Sequence, residues 1–164
     1  MRLGGVVLVM AALFAGCSSD PTPVEPDPAP TTTSATPPRP VPTMPAQASE
    51  DSPEGAAAFV KHYVDVFNYA AATGDVAELS RLSSPDCTGC QKYIDEFRRI
   101  YEGGDQVTVQ LWTLATDALE ISGDARVTAK VDVNEGQVKR YIFNFDLPPR
   151  PPLSVNNITF KASS

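Results

Sequence analysis

The stretch DSPEGAAAFVKHYVDVFNYAAATGD, residues 51–75, decides how this chain folds. Its apolar residues recur at intervals of three and four: Phe59, Tyr63, Phe67 and Ala70, with Val60 and Val64 beside them. That period makes one buried stripe on an α-helix. Both ends are marked. Ser52 is a helix-capping residue, and Pro53 suits the first helical position, where a missing N–H costs nothing. Gly74 ends the helix, because glycine enters the left-handed conformation without a Cβ clash.

Working forward, Asp75 is expected to start a second short helix, with Glu78 completing a capping box and Val76, Leu79 and Leu82 on its apolar side. Tyr93, Ile94, Phe97, Ile100 and Tyr101 predict a third helix, which Gly103-Gly104 stops. From Gln106 the period falls to two. Val107, Val109 and Leu111 alternate with polar neighbours, as do Ala125 through Val133 and Tyr141 through Leu147. LSVNNITFK makes a weaker fourth series. SGD at 122–124 and NEG at 134–136 are turn signals. Helices followed by an antiparallel meander predict an α+β domain over 53–164, with the helices packed on the aromatic face of a curved sheet. LPPRPP, residues 147–152, is a stiff connection between the last two strands.

Working backward, the character changes. Eleven prolines fall from Pro21 to Pro53 among Thr, Ser and Ala. Such a segment buries too little surface to offset its ordering entropy, so residues 17–52 are expected to be a disordered linker. Ahead of it stand Arg2, an uncharged apolar run from Leu3 to Phe14, then Ala15, Gly16 and Cys17. The run is short of the roughly 20 apolar residues of a spanning helix, and its layout is that of an export signal over residues 1–16. The ending FAGC resembles a bacterial lipobox, with Phe14 where Leu is usual. The resemblance implies lipid attachment (palmitate-type acyl chains) at Cys17 and a membrane-anchored domain on the extracytoplasmic face.

The formal net charge is −7, and the basic pairs are short and flanked by acids, which argues against nucleic acid and against a polybasic membrane contact. The chain has three cysteines and one histidine. With Cys17 taken by lipid, Cys87 and Cys90 remain. Their spacing fits a redox centre, half of a metal site or a structural clasp. A zinc site wants two more ligands, and with His62 the only histidine and no further cysteine it would need carboxylates, while redox folds place the motif after a strand. Outside the cytoplasm, the reading preferred is a local disulfide at a helix start. No metal and no cofactor are expected.

Two resemblances sharpen this. AFVKHYVDVFNYAAATGDVAELSRLSSPDC, residues 58–87, resembles the opening of nuclear-transport-factor-2-like proteins. In that cone fold a long helix ends in Gly-Asp, a short helix follows and a curved sheet closes a cone. Together with the Pro-rich leader and Cys-Thr-Gly-Cys, the stretch is similar to an uncharacterised family of actinobacterial lipoproteins. The cone fold hosts isomerases, dehydratases and cyclases as well as non-catalytic modules, so it does not settle function.

Cone-fold enzymes resemble one another in pairing an inward Asp or His with a Tyr. Here the candidates are Asp117, Tyr63 and His62, with Tyr93 as a further pocket residue. By strand parity Asp132 and Asp146 point to solvent. Asp117 shares parity with Val107 and Leu119 and faces the core if its strand runs unbroken to Ile121. A bulge in ATDA resets that parity, and Trp112 and Leu114 on the opposite parity point to such a break. His62 lies beside the apolar stripe and is expected to be partly exposed. The tyrosine hydroxyls are expected to reach the rim. Two functions follow: a non-catalytic module binding an envelope protein or a small apolar ligand, or a cone-fold enzyme acting on a small hydrophobic substrate.

Overall fold

The structure is a computed structural model that describes residues 39–108, 110–122 and 126–163, without the side chains of 116–118 and 122. The export signal, Cys17 and most of the Pro-rich segment lie outside the described residues. Helix α1 spans Pro53–Thr73, α2 Ala77–Leu82 and α3 Thr88–Glu102. Strands β1 Trp112–Ser122, β2 Arg126–Asn134, β3 Val138–Asp146 and β4 Asn157–Ala162 follow. They form one antiparallel meander in the order β1-β2-β3-β4, with β1 and β4 at its edges. The protein is therefore α+β, helices first.

Both signals on α1 act as the sequence implies. Ser52 Oγ accepts the Gly55 N–H at 3.0 Å, and Pro53 opens the helix. Gly74 closes it at φ 75°, its N–H donating to Ala70 O at 2.8 Å.

The second helix departs from expectation. The capping box does not form, and α2 begins at Ala77, whose N–H donates to Asp75 Oδ1 at 3.0 Å. The Asp75 N–H that Glu78 would have accepted donates instead to Thr73 Oγ1. Glu78 accepts from Arg81 Nε at 2.8 Å. Its carboxylate is committed to Arg81 within α2 and does not reach back to Asp75.

Helix α3 starts at the cysteine pair. Cys87 is its N-cap and is disulfide-bonded to Cys90 in the first turn, so the clasp reading holds. Both residues are buried, with Cys90 Sγ 3.9 Å from Val155 O. Val155 is drawn out of the sheet to bridge the α2–α3 loop, donating to Leu82 O and accepting from Ser84 N–H. This is why the fourth strand starts only at Asn157. A Cβ on Gly89 would lie 3.1 Å from Ile158 O, so glycine there lets α3 settle on β4.

In the sheet, Val127, Ala129, Val131 and Val133 face the helices along β2. The opposite face is polar, as expected for Asp132 and Asp146. Asp132 accepts from Arg140 at 2.7 Å, Asp146 from Arg126 at 2.6 Å, and Thr128 donates to Asn144 at 3.0 Å. Strand β1 is broken by a bulge between Leu114 and Leu119, which pair with Val131 and Ala129. The bulge resets the parity, so Trp112 and Ile121 both lie on the helix-facing side, opposite Val133 and Val127. The first strand does not begin at Gln106 as its alternation suggests. The α1 residue Asn68 holds the Trp112 backbone from both sides, donating to its O at 2.7 Å and accepting from its N–H at 3.0 Å. This side chain takes the place of a neighbouring strand at the sheet edge.

The folded part also starts earlier than residue 53. Ala46–Ser49 forms a 3-10 turn, and Ala48 is buried against α1. A Cβ on Gly55 would lie 2.3 Å from Glu50 O, so glycine in the first turn of α1 lets the incoming chain fold back on the helix. The Pro-rich composition conceals this contact because Ala48 is small and stands alone.

Candidate functional site

The space between helices and sheet is where a cone-fold pocket would lie. Aromatic rings occupy it. Phe67 stacks on Trp112 with centroids 3.8 Å apart, and Tyr93 meets both edge-on at 5.0 and 5.4 Å. Phe143 closes on Trp112 at 4.7 Å. Such contacts each add about 0.5–1.5 kcal/mol beyond the area they bury.

The candidate acid–base residues do not converge there. Tyr63 is buried, but its hydroxyl does not reach the rim as the sequence suggested. It is 3.1 Å from Ser83 Oγ, which donates to Leu79 O at 2.8 Å. Burial pushes the Tyr63 phenol up to about 12, partly offset by the Ser83 hydrogen bond.

His62 also departs from expectation. It is 3% exposed, and its Nε2 has no hydrogen-bond partner among the described residues. The physical reason is that α2 packs on α1 and covers the flank of the apolar stripe. Burial lowers its pKa, opposed by the charges of Glu78 and Asp65 and reinforced by Arg81.

Tyr93 is half-buried, and its pKa is raised by burial, then by Glu135 and Tyr141. Asp117 lies in β1, but its side chain is outside the described residues, as is Cys17. Among the described residues no group of three or more His, Cys, Asp or Glu is placed to hold a metal ion, and no helix is long and apolar enough to cross a membrane.

Among the described residues, two of the open clefts share Pro151 and Leu153 in their walls. One cleft of about 360 Å³ is walled by Ala56, Ile121, Leu147, Leu153 and the prolines of the β3–β4 connection, with Glu50 and Asp51 at its lip. A second, of about 400 Å³, runs under Met44 and Ala48 beside Phe59 and Arg81. Ile121 is 41% exposed although it sits on the helix-facing side of the sheet. In the sequence LPPRPP reads as a connection only, and Glu50 and Asp51 carry no evident role. The signal that was present is two adjacent acids directly before the cap of α1.

No curated protein and no solved structure matches this chain. Residues 25–145, spanning most of the Pro-rich leader, the helices and most of the sheet, match a family of unknown function (DUF6318), and the chain belongs to that family.

Proposed function

We propose that this protein is a lipid-anchored, extracytoplasmic binding module whose domain is of the nuclear-transport-factor-2-like cone type. The observation that carries the reading is the filled interior. Trp112, Tyr63, Phe59, Phe67 and Phe143 take up the volume in which a cone-fold enzyme would hold its substrate. Accessible apolar side chains stand on the surface instead, as at Ile121 beside Leu147 and Leu153 in a surface cleft. Accessible apolar surface beside clefts is suited to contact with another molecule.

The cone assignment draws on element order: a long helix closed by Gly74, a short helix, a third helix and then an antiparallel meander. The anchor draws on the sequence alone: Arg2, the apolar run, and Ala15-Gly16-Cys17. Two acyl chains hold a protein at a membrane where one does not, at about 0.8 kcal/mol per buried methylene. The enzyme alternative needs Asp117 with Tyr63 or His62 at one water-poor pocket. The Tyr63 hydroxyl is engaged by Ser83, and the charged neighbours of His62 are Asp65 and the α2 residues Glu78 and Arg81.

Mass spectrometry of the protein from bacterial membranes tests the anchor. Lipid-modified Cys17 at the mature N-terminus is expected, with Cys17→Ala leaving the membrane fraction. An intact, unmodified leader contradicts the reading.

A further inference from the structure

We infer that the cleft at the start of α1 docks a basic peptide segment flanked by apolar side chains, contributed by a partner protein. This rests on the binding-module reading and names the surface and the partner's chemistry.

The walls come first. Ile121 faces the helix layer, opposite fully buried Val127, yet it stays 41% exposed beside the first turn of α1. Leu147, Leu153, Pro148, Pro149 and Pro151 complete an apolar wall. Proline has its φ fixed and offers no N–H, so this wall is stiff and presents little that needs a polar partner. A stiff, preformed wall avoids part of the ordering cost of binding. The volume, about 360 Å³, lies at the small end of the range for ligand sites, about 300–1,000 Å³. It accepts a few side chains and no more.

The lip supplies the charge. Glu50 and Asp51 are exposed, line the cleft and make no ion pair among the described residues. Five carboxylates elsewhere in the domain are matched to arginines, Glu78, Asp95, Glu96, Asp132 and Asp146, whereas the pair at this lip stands beside an apolar wall with its charge unmatched among the described residues. Among the described residues no basic side chain lines this cleft, and Arg150 is not one of those that form it. Two uncommitted carboxylates over an apolar wall complement a Lys or Arg with apolar neighbours. Opposite charge at the rim sets partner choice and encounter rate more than raw affinity.

The test uses the full mature chain and three capped probes: Leu-Leu-Lys-Leu-Leu, the same peptide with Glu for Lys, and the same with Ser for every Leu. Calorimetry is expected to show the first binding at least about tenfold more tightly than the other two, and weakening as salt is raised. The double variant Glu50→Gln/Asp51→Asn should lose about tenfold for the Lys peptide, and Ile121→Ser should weaken it too. Asp132→Asn, on the far face of the sheet, should bind as wild type. Unchanged circular dichroism shows that the surface variants remain folded.

Equal binding of the Lys and Glu peptides, wild-type affinity in the double variant, or no binding of the Lys peptide overturns the inference. A chain that ignores all three peptides, yet is recovered lipidated and cross-linked to an envelope protein through another face, overturns this cleft and leaves the module reading standing. An unlipidated chain that binds the Lys peptide leaves this cleft standing and overturns the anchor.

Discussion

Strand β1 carries large apolar side chains at its two ends, both on the helix-facing side of the sheet. Trp112, at its start, is 1% exposed, and Ile121, near its end, is 41% exposed. They have opposite parity, and only the bulge between Leu114 and Leu119 puts them on the same side. What separates them is cover. Phe67 and Tyr93 bring α1 and α3 over Trp112. Over Ile121 there is only the first turn of α1 and a proline loop. The sheet face decides which way a side chain points, while helix placement decides whether it is buried. One end of the layer is therefore core and the other is available for recognition.

Substitutions sharpen this contrast. Trp112→Ala should cost the most, about 3–5 kcal/mol in chemical denaturation, because it empties the centre of the aromatic cluster. A loss under about 1 kcal/mol would mean that the covered end is loosely packed. Replacing Cys87 and Cys90 together with Ser removes the clasp that starts α3 and should cost about 2 kcal/mol by the same measurement. Tyr63→Phe leaves the ring in place and removes its bond to Ser83, a loss of about 1 kcal/mol. In the wild type this phenol should stay protonated through pH 11 in a spectrophotometric titration, given a pKa near 12.

A smaller effect appears in acid. Burial lowers the pKa of His62 against the opposing charges of Glu78 and Asp65, so its folded pKa lies below its unfolded value of about 6.5. The unfolded chain then binds more protons as pH falls through about 6.5, and stability drops. His62→Gln should flatten that part of the curve in denaturation measured across pH. If wild type and variant show the same slope there, the histidine is solvated. The smallest effect belongs to the open end. Ile121→Ser should change stability by no more than about 0.5 kcal/mol, as for a surface site.

Much of the covered end can be read from the residues themselves. Ser52, Pro53 and Gly74 mark α1 because capping depends on local geometry. The alternation of Val127, Ala129, Val131 and Val133 marks β2 because side chains on a strand take alternate faces. Trp112 and Leu114, out of step with Val107 and Leu119, betray the bulge. The remainder depends on contacts between distant segments. His62 is buried on the flank of α1, where α2 packs and brings Glu78 and Arg81 near it. The 3-10 turn at Ala46–Ser49 hides in proline-rich composition, and Asn68 gives no sign that its amide will hold the Trp112 backbone. The cleft is assembled from the segment before α1, the end of β1 and the β3–β4 connection, so no window of sequence contains it. Asp117, the one acid whose parity was ambiguous, lies where the side chains are not described.

Trp112 is the only tryptophan in the chain, which makes it a reporter on the central claim that the helix–sheet interior is packed and closed. Acrylamide quenching of its fluorescence is the direct measurement. A closed interior predicts blue-shifted emission, almost no quenching, and no change when small apolar ligands are added. Quenching close to that of free tryptophan, or an emission shift on adding such a ligand, would contradict it and point back to an open, substrate-sized pocket.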